Sequence, residues 1–302
     1  IPKINLLNAL EFINEIQVIS LINKLKTLPN QALVIGVSAG LDSTLALLVA
    51  HQAFVRLNLD LKKLIAVTLP THITSETTNN DSLNLMKSLN LEPRLIDIDN
   101  ELKEHLKIID HQEKDTTFEN AQARIRTQVL MNLANKYKGI VLGTGDMSEI
   151  ALGFMTFNAD QMSMYNVNSG IPKTLIKEMV SYHANHKYPN LKVLLNKILN
   201  KKISPELKIN QVTEDIIGKY EINDFILYHH LENGAGSEKL IWLIKETFSL
   251  KEKDSEIYVN RFLNLFYQNQ FKRIPMPEGV KVLNFSLSPR SDLKLSSMIK
   301  RG

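Results

Sequence analysis

The stretch ALVIGVSAGLDSTLALLV, residues 32–49, decides the fold. Residues 32–37 form a continuous apolar run rich in β-branched side chains, the reading of a strand covered on both faces of a parallel sheet. Residues 43–49 are apolar, with good helix formers and no Gly or Pro. Between them, Ser38-Ala39-Gly40-Leu41-Asp42-Ser43 must turn a strand sharply into a helix. Such a turn aims several backbone N–H groups at one spot beside the positive end of the helix dipole. Ser38 and Ser43 add hydroxyl donors, and Gly40 leaves room for close approach. Two readings are open at this point: a phosphate or pyrophosphate cradle, or an ordinary strand-to-helix turn with a cap. The P-loop that carries Lys is excluded, because no Lys follows Gly40.

Outward from this stretch, strand and helix alternate. Upstream, residues 5–28 carry apolar side chains at helical spacing, predicting one or two amphipathic helices that end before Pro29. Downstream, residues 64–69 (LIAVTL) and 93–98 (PRLIDI) read as strands, with helices over 77–89 and 100–109. Residues 118–137 form a strong helix ended by Gly139. A short strand follows at 140–142, then a helix from Asp146, a cap with Glu149 three residues on. Residues 154–171 show no period and are expected to be loops, and residues 172–181 a helix with Pro at its first turn. The pattern predicts an α/β fold, a doubly wound parallel sheet flanked by helices. Residues 183–186 and 200–208 read as polar linkers around a mainly helical part, and the tail 273–302 as extended and loosely structured. The expected organisation is one domain over 1–302: N-terminal helices (1–29), a nucleotide-binding α/β core (30–182), a mainly helical part (183–272) and the tail.

Composition narrows the function. The 302 residues are 44% hydrophobic and contain no Cys, which excludes disulfides, Cys-ligated zinc and a Cys nucleophile. That absence fits a reducing, cytoplasmic compartment. The net charge of +4 suits anionic small substrates rather than nucleic acid, and no apolar run is long enough for a bilayer. The chain starts with Ile1-Pro2, which reads as a piece of a longer or trimmed protein.

Ligands of an open parallel sheet bind outside the carboxyl ends of its strands. The residues after Val37, Leu69 and Leu142 are therefore expected in one cleft: the 38–43 turn, Thr68, and Thr144 with Glu149. Asp42 and Glu149 would be two hard oxygen donors near a phosphate site, suited to Mg²⁺, although acids in first turns also serve as helix caps. Asn120 and Arg124, four apart, share a helix face on which an anionic substrate could be held, or which is simply solvated; Arg126 is expected to point elsewhere. His183, His186, His229 and His230 read as surface residues. Phe154, Met155 and Phe157 read as packing residues unless a ring-bearing substrate reaches them.

SAGLDS resembles the SGGxDS signature of the ATP pyrophosphatase (PP-loop) enzymes, with Ala39 where those enzymes usually have Gly. The methyl is expected to crowd a phosphate, or to drive φ away from positive values if the turn needs them. Six ordered motifs extend the likeness over residues 30–292: VSAGLDST (37–44), TFENAQARIRT (117–127), IVLGTGDMSEIALGFMT (140–156), YNVNSGIPKTLI (165–176), QFKR (270–273) and SLSPRSD (286–292). Together they are similar to the synthetase domain of NAD⁺ synthetase, more closely the glutamine-dependent form. The resemblance implies ATP- and Mg²⁺-dependent amidation of deamido-NAD⁺ by ammonia through an acyl-adenylate. It implies ATP contacts from Ser38, Gly40, Asp42, Ser43, Thr144, Lys173 and Ser204, and metal ligation by Asp42 and Glu149. It implies deamido-NAD⁺ contacts from Asn120, Arg124, Glu149, Phe154, Met155, Thr156, Phe157 and Lys272. Asp42, Glu149 and Lys173 would carry the catalysis. Segments near residues 71–78 and 201–206 are candidate lids. The family's N-terminal glutaminase domain, with its catalytic Cys, is missing, so free ammonia or a partner glutaminase would serve, and a homodimer is expected with the N-terminal helices as a possible interface. Two alternatives stay open: a nucleotide-binding homologue impaired by Ala39, and another PP-loop amidase.

Overall fold

A computed structural model describes residues 5–201, 213–299 and 301. Five strands form one parallel sheet in the order β3-β2-β1-β4-β5. They are β1 (Leu33–Gly36), β2 (Leu64–Thr68), β3 (Arg94–Leu95), β4 (Ile140–Gly143) and β5 (Tyr165–Asn166). β1 is central, its Leu33 facing Leu64 of β2 on one side and Ile140 of β4 on the other. Both neighbours run parallel, so each connection needs a helical crossover. These are α2 (Leu41–Arg56) between β1 and β2, α3 (Glu76–Ser88) before β3, and α4 (Asp99–Ile108) and α5 (Thr116–Lys136) before β4.

α2 is the core helix. Leu45, Leu47, Leu48, Val49 and Phe54 have no exposed surface, each worth roughly 1.5–3 kcal/mol of apolar burial. The N-terminal segment is a single helix, α1 (Leu6–Lys26), capped by Asn5, whose side chain accepts from Leu7 N at 3.1 Å. It packs Leu10, Val18, Leu21 and Leu25 into the same cluster as α2. Asn14 and Gln52 exchange two hydrogen bonds at 3.1 Å, and Gln17 Nε2 donates to Val167 O at 2.9 Å, while Gln17 Oε1 has no partner among the described residues.

Three departures from the sequence reading stand out. Residues 154–171 are not all loop, because Tyr165 and Asn166 pair with Leu142 and Gly143 as β5. The tail then extends this edge, with Asn166 N donating to Glu278 O at 2.8 Å and Val280 N to Asn166 O at 3.2 Å. A Cβ on Gly279 would lie 2.6 Å from Asn166 O, so only Gly lets the tail come so close. The tail is extended but not loose: Met276, Val280, Phe285, Leu287 and Leu293 are buried. Residues 183–186 are no linker either. α7 (Lys173–Tyr182) continues into a π-helical turn, His183–Lys187. His183 is fully buried because it follows Met179 and Val180 by four and three positions on the inward face. His186 is exposed as expected, and His229 and His230 are half-buried.

α6 (Met147–Leu152) follows β4, and α8 (Lys192–Leu199) follows the π turn. The remaining helices are α9 (Thr213–Ile217), α10 (Tyr220–Leu231), α11 (Ser237–Phe248), α12 (Glu252–Gln268) and α13 (Gln270–Arg273). α10, α11 and α12 share a second apolar cluster with α6, which brings this helical part against the sheet's carboxyl end. No helix among the described residues is long and apolar enough to cross a membrane.

Candidate active site

The chain leaves β1 through Ser38 and turns at Ala39, whose φ is +50°. The turn therefore does need a left-handed residue, and Ala39 supplies it, against the expectation that a methyl would exclude that conformation. Its side chain is buried and belongs to the α2 core cluster. Gly40 starts α2 in extended conformation with no side-chain cap, so the first-turn amides of a sixteen-residue helix point outward. Ser38 N donates to Ser43 Oγ at 3.2 Å and Gly40 N to Ser38 Oγ at 3.3 Å, so both hydroxyls also brace the loop.

β4 ends at the same edge. Asp146 caps α6, its Oδ1 accepting from Ser148 N at 2.7 Å and Glu149 N at 2.9 Å. Its other oxygen, Oδ2, lies 2.6 Å from Lys173 Nζ. Lys173 opens α7 and its side chain is 1% exposed; the ammonium also meets Asp42 Oδ2 at 2.6 Å and Glu149 Oε1 at 3.0 Å. Burial disfavours the Lys173 charge, but the three carboxylates outweigh it and hold the lysine pKa well above its ordinary value. Burial, with Asp146 nearby, raises Asp42 to about 6 against the pull of Lys173. Glu149 is pushed well above the usual carboxylate range by burial and by Asp146. Three carboxylates against one ammonium leave net negative charge in a poorly solvated spot.

That residual charge fits a divalent cation. Asp42, Asp146 and Glu149 each offer an oxygen, all within 4.8 Å of one another, a donor set matched to Mg²⁺. Asp42 Oδ1 is buried with no hydrogen-bond partner among the described residues, an orphan acceptor that a bound cation would satisfy.

These groups border a cavity of about 530 Å³ at the strand ends. Ser38, Gly40, Asp42, Ser43, Thr68, Thr144, Glu149 and Lys173 all line it, so the convergence expected from topology is present. Asn120, Phe154, Met155, Thr156 and Lys272 line the same cavity. Thr156 Oγ1 donates to Asn120 Oδ1 at 2.7 Å, and Lys272 Nζ donates to Gly153 O at 2.7 Å and Met155 O at 2.8 Å. Burial lowers the Lys272 pKa, Asp160 opposing. Ser204 lies outside the described residues. Arg124 is exposed and absent from the cavity wall, the solvated one of its two readings, whereas Arg126 points elsewhere, lines the wall and donates to Leu69 O at 3.0 Å. Phe157 is exposed and outside the wall, its ring 5.6 Å from that of Phe271. The 71–78 segment is tied down: Thr71 Oγ1 donates to Gln122, His72 N to Asp99, and Ser75 caps α3.

Sequence reasoning missed Asp146 as a site residue because its capping role explained it fully; its signal was the i, i+3 spacing with Glu149. Arg126 was missed because spacing fixes which residues share a face, not which face meets the cavity.

A profile of the NAD synthase family matches residues 13–276. The chain belongs to the NAD synthase family. It is 36% identical to the glutamine-dependent NAD(+) synthetase of Mycobacterium leprae (strain TN), an alignment covering 93% of this chain and 47% of that protein. The chain thus spans about half the length of the curated relatives it matches. Among solved structures, the fold is similar to an NMN synthetase from Francisella tularensis, with TM-score 0.68, 23% identity, and 87% of this chain and 95% of that one covered. It is also similar to the NH3-dependent NAD synthetase of Campylobacter jejuni, with TM-score 0.65, 24% identity, and 89% and 98% covered. At these identities the structural likenesses speak for the fold that this NAD synthase family member adopts.

Proposed function

We propose that this chain catalyses ATP-dependent amidation of deamido-NAD⁺ to NAD⁺. The observation that carries the reading is Lys173, held by Asp42, Asp146 and Glu149 beside the uncapped start of α2. A pyrophosphate leaving group needs cations and amide dipoles fixed where charge develops. Lys173 and the α2 amides supply both, the lysine from a buried position. The nicotinate carboxylate oxygen attacks the α-phosphorus of ATP and the bond to the β-phosphate oxygen breaks, releasing pyrophosphate. Ammonia then attacks the acyl carbon, AMP leaves with the C–O electron pair, and the nitrogen loses a proton. Asp42 and Glu149, with Asp146 beside them, would hold Mg²⁺, which when bound neutralises phosphate charge. Ser38, Gly40, Ser43, Thr144 and Ser204 would contact ATP. Asn120, Phe154, Met155, Thr156 and Lys272 would receive deamido-NAD⁺, whereas Arg124 and Phe157 would meet only a ligand extending beyond the cavity.

The reaction needs no side-chain nucleophile, so a chain without Cys can run it with free ammonia, as the name of the Campylobacter jejuni neighbour states for that enzyme. The names of the curated relatives support a glutaminase domain or subunit as the alternative nitrogen source. A cytoplasmic homodimer remains part of this proposal; exposed Phe12 and Ile19 on α1 offer apolar surface for it. The test is NAD⁺ formation from deamido-NAD⁺, ATP, Mg²⁺ and ammonium, with glutamine in parallel and Asp42→Ala as control. Product with ammonium only, abolished by the substitution, supports the reading. Binding of both substrates without product favours a homologue impaired at Ala39, and binding of neither overturns it.

A further inference from the structure

Lys173 is clasped from outside the nucleotide core. One turn of α10 presents Tyr220 and Asp224 on the same face, four residues apart. The Tyr220 ring centroid is 5.4 Å from Lys173 Nζ, and the residue is 1% exposed. Its hydroxyl is buried without a hydrogen-bond partner among the described residues. The contact Tyr220 offers Lys173 is therefore its ring face, which is turned to the ammonium.

Asp224 holds the other end of the same residue's peptide unit. Pro172 cannot cap α7 with its side chain, which leaves the helix's first amides without a local partner. Asp224 Oδ2 accepts from Thr174 N at 2.9 Å and Thr174 Oγ1 at 2.8 Å. Asp224 Oδ1 accepts from Ser148 Oγ, which in turn accepts from Lys173 N at 2.8 Å. Ser148 is the second residue of α6, whose cap and first turn supply Asp146 and Glu149. One helix face therefore meets the lysine ammonium through Tyr220, and through Asp224 ties the Ser148 side chain of α6 to the first turn of α7.

We propose that Tyr220 and Asp224 are positioning residues for the amidation: the ring face steers the Lys173 ammonium, and the Asp224 carboxylate sets the relative placement of Lys173, Asp146 and Glu149. This rests on the function proposed above. It adds a dependence of the ATP-handling site on the helical part of the chain that no motif in the nucleotide loop encodes.

Ring electronics separate steering from packing. Position 220 is replaced by Phe and then by mono-, di- and trifluorinated Phe, which keep the shape and drain the ring face of negative potential. kcat at saturating ATP, deamido-NAD⁺ and ammonium is expected to fall stepwise relative to Tyr220→Phe, by roughly tenfold across the series. The KM for deamido-NAD⁺ and the melting temperature should stay nearly constant. A flat kcat overturns the steering role. Asp224→Asn is expected to lower kcat by about tenfold or more per folded chain, as an amide N–H₂ meets donors where a carboxylate accepted. If melting temperature drops while kcat per folded chain is kept, Asp224 serves stability alone and the positioning role is overturned. If the unsubstituted chain forms no NAD⁺, the functional reading itself fails, and this inference falls with it.

Discussion

Lys173 Nζ lies 2.6 Å from Asp42 Oδ2 across 131 residues of sequence, and this contact joins the start of α7 to the start of α2. It sets the electrostatics of the site: one buried cation serves three carboxylates that come from two other helix starts. Removing either partner leaves charge that the surroundings cannot solvate.

Lys173→Met is therefore expected to cost about 3–5 kcal/mol of stability and to lower kcat about 10²–10³-fold. The same change should tighten Mg²⁺ binding to the free protein, because the ammonium no longer competes for the carboxylates. Denaturant unfolding and calorimetric Mg²⁺ titration check both. Unchanged or weaker Mg²⁺ binding in the variant would mean that the three acids do not form the cation site.

Ala39→Gly should change stability by less than about 1 kcal/mol, because three effects offset. Glycine relieves roughly 1–2 kcal/mol of left-handed strain, loses about 0.8 kcal/mol of methyl burial and restores roughly 0.5–1 kcal/mol of unfolded-chain entropy. Its φ of +50° and its place in the core cluster suggest that activity changes only a few-fold. Steady-state kinetics of the pair decide this; a gain above about tenfold would show that the methyl obstructs a phosphate.

His183 predicts an acid-side loss of stability. Burial, with Lys187 adding to it, lowers its pKa from 6.5 to about 3. The unfolded chain therefore binds the proton first, and the stability contributed by neutral His183 is lost as pH falls from about 6.5 toward 3, by about 1.4 kcal/mol per unit. Asp224 works in the opposite sense: burial raises it to about 6, so its share is lost as pH rises through that value. The difference in unfolding free energy between the protein and His183→Leu isolates the histidine. A pH-independent difference between pH 4 and 7 would contradict a neutral buried His183.

Neighbouring residues of α13 should separate stability from binding. Arg273 is fully buried, donating to Ala151 O at 2.8 Å, Ile150 O at 3.2 Å and Phe266 O, with its guanidinium 4.4 Å from the Phe266 ring. Arg273→Ala should cost about 3 kcal/mol or more. Arg273→Lys should not restore it, since a point charge cannot serve several carbonyls as a planar fork does. Lys272→Ala, next in the chain, should cost less stability and raise the KM for deamido-NAD⁺. Thermal unfolding and kinetics on the three variants test the split.

The sequence by itself determined the strand-turn-helix at residues 32–49, the parallel α/β class, and the convergence of the 38–43 turn, Thr144 and Glu149 on one edge. These follow from local apolar period and from the rule that parallel strands put their carboxyl ends together. Only the tertiary structure decided what periodicity cannot encode. Two-residue β5 has no period to read and exists because Leu142, Gly143 and the tail at Gly279 flank it. Arg126 rather than Arg124 faces the cavity because packing sets the rotation of α5. His183 is buried although its type favours the surface, since its place on the inward face of α7 outweighs its polarity. Asp146 caps a helix, yet its second oxygen has a partner that lies close only once α6 and α7 meet, a contact between residues distant in sequence that no local pattern records.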